Sequence, residues 1–225
     1  MNASLSATGL GALLTCACSL AFAQATTTIS QQGSANTAYT EQTFGSPPPE
    51  IPGVLTATIE QIGNNNHVGD ALTRTPRIFQ RSAIRTVATA TVRQHGNQNA
   101  ASISQDVTFE EVPVQIWQIG NKNTAAISQL QVQHSEAELK QTGNDNVASV
   151  DQQGVIDSGF RISQDGSGNR LSMRQQRSSL GRPSITQTGT ANSVTFEQDG
   201  VFPAGINTER KLDVLPALND GDSYS

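Results

Sequence analysis

The sequence predicts an all-β fold of stacked strand-turn-strand repeats, a parallel β-solenoid or cross-β, amyloid-like stack. Three observations lead there. A frame Gln-x-Gly-x-x-Asn-x-(Ala/Val/Leu)-x-x-x-Gln returns along the chain in seven copies, and a fixed internal period outranks any residue-by-residue reading. Apolar residues alternate with polar ones at period two through each copy. Only 35% of the 225 residues are of hydrophobic type and 4% are aromatic, which is too few for a conventional core.

The copies begin at Gln31, Gln61, Gln94, Gln118, Gln141, Gln164 and Gln187; from Gln94 onward the steps are 24, 23, 23 and 23 residues. The third position holds Gly33, Gly63, Gly96, Gly120, Gly143, Gly166 and Gly189. The sixth holds Asn36, Asn66, Asn99, Asn123, Asn146, Asn169 and Asn192. Gln42, Gln105, Gln129, Gln152, Gln175 and Gln198 close the copies, while the second copy has Leu72 at the closing place.

Two residues before the first glutamine stand Ile29, Ile59, Val92, Ile116, Leu139, Ile162 and Ile185. Seven residues after it stand Ala38, Val68, Ala101, Ala125, Ala148, Leu171 and Val194, and nine after it Ile103, Ile127, Val150, Met173 and Phe196, with Thr40 and Asp70 as early exceptions. These parities share one face, so each copy has two strand arms. Between the arms lie runs such as Gly120-Asn121-Lys122-Asn123, residue types that tolerate positive φ and form local hydrogen bonds.

One pair of short strands cannot bury its apolar face, so the copies must stack. Stacking places equivalent residues about 4.7–4.9 Å apart. The inward glutamines and asparagines then form ladders in which each amide bonds to the copies above and below, meeting the requirement that buried amides be hydrogen-bonded.

Outside the repeats, residues 1–23 lack charged side chains, carry an apolar run from Leu10 to Leu20 and end in Ala21-Phe22-Ala23. This is the form of a removed export signal; the run is short for a membrane anchor. Both cysteines, Cys16 and Cys18, lie in it, so residues 24–225 have no thiol and need a source of stability other than disulfides. The repeats span 24–198, with insertions expected near 43–52 and 72–87. The first carries Pro47-Pro48-Pro49, which cannot join a ladder for want of amide donors. The second carries Arg74, Arg77, Arg81 and Arg85 in a chain of formal net charge -5. It is either a solvated loop or a patch for an anionic surface. Residues 199–225 form an acidic tail that either caps the stack or stays loose.

No constellation for chemistry emerges. His67, His95 and His134 occupy unlike positions in their copies and lack metal-ligand spacing. No serine lies in a nucleophile-elbow pattern, and Gly120 to Asn123 lacks a phosphate loop's context. Glu110-Glu111, beside Pro113 in an inter-repeat segment, is the only adjacent acidic pair. No catalytic, cofactor-binding or metal-binding residue is assigned, and no enzyme activity is expected. A non-polymerising secreted β-solenoid adhesin or surface-binding module stays open as the alternative to a polymer.

The repeat resembles that of curlins, the subunits of curli amyloid fibres on bacterial surfaces. The family's frame is Ser-x5-Gln-x-Gly-x-x-Asn-x-Ala-x3-Gln; Ser135, Gln141, Gly143, Asn146, Ala148 and Gln152 fit it throughout. The copies at Gln94 and Gln118 depart only at the leading serine, replaced by Ala88 and Val112, while those at Gln164 and Gln187 replace the alanine with Leu171 and Val194. The resemblance implies a secreted structural subunit, major or nucleating, of a cell-surface fibre (fimbrium) for adhesion and biofilm matrix. It also implies self-assembly, contact with other curlin subunits, and export by periplasmic chaperones and an outer-membrane secretion channel.

Overall fold

The computed structural model describes residues 24–44, 53–69, 78–82, 86–107, 110–179, 181–201, 209–215 and 223–224. These residues contain strands and no helix. In chain order the strands are β1 (Gln24–Gln32), β2 (Thr37–Ala38), β3 (Thr40–Phe44), β4 (Val54–Ile62), β5 (His67–Val68), β6 (Ile78–Ser82), β7 (Thr86–His95), β8 (Ala100–Val107) and β9 (Glu110–Asn121). They continue with β10 (Thr124–Leu130), β11 (Ala137–Asn144), β12 (Val147–Gln153), β13 (Phe160–Ser167), β14 (Arg170–Ser178), β15 (Ser184–Thr190), β16 (Ser193–Val201), β17 (Glu209–Leu215) and β18 (Ser223–Tyr224).

The first arms of all seven copies form one parallel sheet, β1-β4-β7-β9-β11-β13-β15, and the second arms form another, through β16-β14-β12-β10-β8 to β5-β2 and β6-β3. The chain is therefore a β-solenoid with one copy per layer. Register is that of the repeat: Gln31 lies beside Gln61, Gln61 beside Gln94, and so on to Gln164 beside Gln187. A one-residue slip would turn every apolar side chain outward, and it would also break the glutamine columns.

The interior between the sheets is a single apolar cluster running the height of the stack. It is built from Ile29, Ile59, Val92, Ile116, Leu139, Ile162 and Ile185 of the first arms and Ala38, Val68, Ala101, Ala125, Ala148, Leu171 and Val194 of the second. Both arms contribute small and large residues to it, Ala57 and Ala90 with Ile59 and Val92 on the first arm and Ala101 and Ala125 with Ile103 and Ile127 on the second, so two sheets with few bulky side chains still close on each other. A second cluster, Leu55, Ala88, Val112, Val132 and Val155 with Phe44 against it, fills the corner where the chain crosses from one layer to the next.

The second copy corrects the sequence reading. Thr40 pairs with Ile78 rather than with Asp70, and Gln42 pairs with Gln80 rather than with Leu72. Ile78 and Gln80 in turn pair with Ile103 and Gln105. The interruption thus falls between Gly69 and Ile78, inside the second arm, and Ile78–Ser82 is a strand instead of part of a loop. Residues 70–77 and 83–85, with Arg74, Arg77 and Arg85, lie outside the described residues. The expected first insertion also shrinks, because Thr43 and Phe44 continue β3; the proline run lies outside the described residues, as do residues 1–23. Glu110 and Glu111, in the segment between two repeats, begin β9.

Of the tail expected at 199–225, residues 199–201 continue β16. β17 pairs antiparallel with β16, and β18 pairs antiparallel with β15.

Candidate functional site: the stacked amide ladders

Two glutamine columns run the length of the stack. In the first, each Nε2 donates to Oε1 of the next copy: Gln31 to Gln61 (2.6 Å), Gln61 to Gln94 (2.8 Å), Gln94 to Gln118 (2.9 Å), Gln118 to Gln141 (2.9 Å), Gln141 to Gln164 (2.8 Å) and Gln164 to Gln187 (2.7 Å). The same nitrogen reaches across to a second-arm carbonyl, as Gln118 does to Ala100 (2.9 Å) and Gln141 to Thr124 (3.0 Å). Both hydrogens of the amide are therefore used, one along the stack and one between the sheets.

The second column passes through the corrected copy. Gln42 donates to Gln80 (2.7 Å), Gln80 to Gln105 (2.9 Å), Gln105 to Gln129 (3.2 Å), Gln129 to Gln152 (2.8 Å), Gln152 to Gln175 (2.6 Å) and Gln175 to Gln198 (3.0 Å). Gln80, absent from the sequence-derived column, is fully buried and bonds on both sides. Its signal was the pattern Ile78-x-Gln80, which repeats Ile103-x-Gln105 after an eight-residue displacement.

The asparagines brace the turns. Each buried Oδ1 accepts from the backbone N–H of the next asparagine: Asn36 from Asn66, Asn66 from Asn99, Asn99 from Asn123, Asn123 from Asn146, Asn146 from Asn169 and Asn169 from Asn192, all within 3.0–3.2 Å. Each Nδ2 donates to the glycine carbonyl of the next turn, as Asn99 does to Gly120 and Asn123 to Gly143, both at 2.8 Å. The glycines Gly33, Gly63, Gly96, Gly120, Gly143, Gly166 and Gly189 all have φ between 107° and 123°. A Cβ on Gly120 would stand 2.0 Å from the Gly143 carbonyl oxygen, so positive φ and layer spacing each demand glycine there.

An exposed ladder was not anticipated as such. Asn64, Asn97, Asn121 and Asn144 stack at the turn tips, with Oδ1 of Asn121 accepting from the backbone and side-chain nitrogens of Asn97 at 3.0 and 3.1 Å. The Gly-Asn-x-Asn runs carried this signal; it stops where Ser167 and Thr190 follow the glycine. The leading serines form a column too. Ser158 Oγ accepts from Gly181 N–H (2.8 Å), and Ser135 Oγ from Ser158 N–H (3.3 Å).

Outside, charges of opposite sign are stacked. Glu138 meets Arg161 at 3.1 Å, Glu60 meets Arg93 at 3.3 Å, and Arg93 lies 4.9 Å above the Trp117 ring. Arg81, which lies in β6 and not in the expected insertion, faces Asp106 at 3.7 Å. Arg177 grips Asp199 with two nitrogens, one at 3.0 Å; that hydrogen bond holds the Asp199 carboxyl below its usual range and raises the Arg177 guanidinium. Of the histidines, His67 bonds Thr37 (2.7 Å), His95 approaches Glu60 (3.6 Å) and His134 approaches Asp157 (3.4 Å). Among the described residues no cluster of three potential metal ligands occurs.

What this arrangement can do is template. Each layer presents the next with a row of backbone partners, two glutamine amides and an asparagine in fixed register. Comparison of the chain with protein-family models, with curated proteins and with solved structures returned no match.

Proposed function

We propose that the chain is a secreted structural subunit of a curlin-type, cross-β fibre at a bacterial surface, serving adhesion and biofilm matrix as major subunit or nucleator. The observation that carries this reading is the pair of glutamine columns unbroken from Gln31 to Gln187 and from Gln42 to Gln198. A layer held by such columns is equally suited to accept a further layer from another molecule. The reading brings with it homopolymerisation, other curlin-type subunits as partners, export through an outer-membrane channel with periplasmic chaperones, and no catalytic role.

The test is incubation of purified residues 24–225 with thioflavin, followed by fibre diffraction. Dye-binding fibres with a reflection at about 4.7–4.8 Å along the axis are expected. A persistently monomeric product without that reflection removes the reading. A second reading, a non-polymerising secreted solenoid adhesin, draws support from one feature: β17 and β18 cover the last layer. Contact with an anionic surface through Arg74, Arg77 and Arg85 belongs to either reading, whereas Arg81 is paired with Asp106.

A further inference from the structure

The two ends of the stack are unlike. At the amino-terminal end, β1, β2 and β3 each pair on one side only among the described residues, with β4, β5 and β6. At the carboxy-terminal end, β16 pairs with β17 from Ser193 opposite Leu215 to Asp199 opposite Glu209, and β15 pairs with β18 at Ile185 and Thr186. Every other inter-layer pairing among the described residues is parallel; these two are antiparallel.

The sense of pairing has a chemical consequence. An antiparallel strand satisfies the backbone of β16 but brings Arg210 beside Gln198, where a parallel repeat would bring a glutamine. Gln198 is 2% exposed and accepts from Gln175, yet its own Nε2 is buried without a hydrogen-bond partner among the described residues. In each earlier layer that donor meets the Oε1 of the next closing glutamine. The group that would meet it here is the carbonyl of Gln42 in a second copy. The match extends along the layer: with Gln198 on Gln42 and Gln187 on Gln31, Ile185 falls on Ile29 and Gly189 on Gly33.

We propose that β17 and β18 are a displaceable cap over the growth edge, and that the edge beneath them docks the first layer of a second copy. The proposal rests on the fibre reading and adds its regulation. A chain joins a fibre through the open β1 and β2–β3 edge, and it becomes extendable only when its tail leaves. The cap holds the backbone and leaves the Gln198 amide wanting, so an incoming repeat offers what the tail lacks.

The experiment compares three forms of residues 24–225 in seeded elongation: the full chain, a chain ending at residue 201, and a full chain with Thr195→Cys and Asp213→Cys. Those two positions are paired across β16 and β17, and residues 24–225 contain no other cysteine. An open state populated at roughly 0.1–10% means that truncation speeds elongation about ten- to a thousandfold. The oxidised double variant should join seed ends once and arrest them at amounts well below the seeds' own subunits, and reduction should restore growth. Elongation at one common rate by all three forms, with fibres produced, overturns the cap while leaving the fibre reading standing. Absence of fibres from every form, the truncated chain included, overturns both.

Discussion

The first two layers and the five that follow reach the same structure by different routes. Layers three to seven come from copies spaced evenly, and their equivalence is readable by counting. Layers one and two come from copies interrupted by proline- and arginine-containing segments, yet Gln42, Gln80 and Gln105 continue one column at 2.7 and 2.9 Å. Register in this fold is thus set by which side chains can stack, and chain length between them is secondary. A long excursion costs little because loop-closure entropy grows only slowly with length, whereas a misplaced glutamine leaves buried amides unpaired.

The comparison can be broken most sharply at the glycine column. Gly63→Ala in an early layer and Gly143→Ala in a later one would each drive a Cβ to within 2.0 Å of the next turn's carbonyl oxygen at positive φ. Each should cost about 2–5 kcal/mol, summing overpacking and left-handed strain, read as a drop in the urea midpoint. A mild effect at Gly63 alone would show that the early layers are looser than the later ones.

Next come the columns. Gln80→Leu and Gln141→Leu each remove a fully buried amide with partners in both neighbouring layers. The loss is roughly 1–3 kcal/mol for each group left unsatisfied, and fibre growth should slow. Thr142→Ala, on the outward face beside Gln141, should change little; equal effects at 141 and 142 would mean that the faces are misassigned.

A smaller effect is expected from excision. Deleting residues 70–77, so that Gly69 joins Ile78, should shift stability by no more than about 1 kcal/mol, since the cost of closing the chain between two fixed strands varies only slowly with its length. Deleting 78–82 should instead disrupt the second layer. Comparable damage from the two deletions, measured by denaturant midpoint, would contradict the register of Ile78 and Gln80.

The smallest effect belongs to the surface pair Arg177–Asp199. Because the pair holds the Asp199 carboxyl below its ordinary value, its stabilisation is fully present above the unfolded value of about 3.9 and is lost as pH falls through the folded one. The raised Arg177 value keeps that group charged throughout this window. Asp199→Asn should therefore lower the midpoint slightly near neutral pH and at low salt. A difference that persists at the acid end, or at high salt, would point to something other than the ion pair.

Most of the stack was legible in the sequence because its stabilising contacts are between identical positions, and identity is visible in a sequence. The two arms, the turn glycines, the inward face and the columns all follow from the repeat. What escaped had a different cause in each case. Gln80 is hidden because it stands eight residues beyond the place that a fixed period assigns to Leu72. The exposed Asn64–Asn97–Asn121–Asn144 ladder was visible as residues, but an outward asparagine in a turn is equally at home in water. The antiparallel placement of residues 209–215 had no repeat to announce it. Opposite-charge stacking was also obscured: Glu138 and Asp151 would face their own copies in a peptide stack, whereas within the chain they lie beside Arg161 and Arg174.

The uniform direction of the glutamine columns has an electrical consequence. Every Nε2 in both columns points toward the carboxy-terminal layer and every Oε1 back toward the first. Backbone dipoles of a sheet largely cancel, but these side-chain dipoles add in series, as peptide dipoles do in a helix, and each polarises the next in the low-dielectric interior. Each glutamine column therefore carries a dipole along the axis, positive at the Gln187 or Gln198 end and negative at the Gln31 or Gln42 end, while the buried asparagine Oδ1 atoms, which accept from the following layer, are oriented the other way. At a junction between two molecules, a glutamine column meets a complementary end only in the sense that continues it, Nε2 of Gln187 or Gln198 toward Oε1 of Gln31 or Gln42.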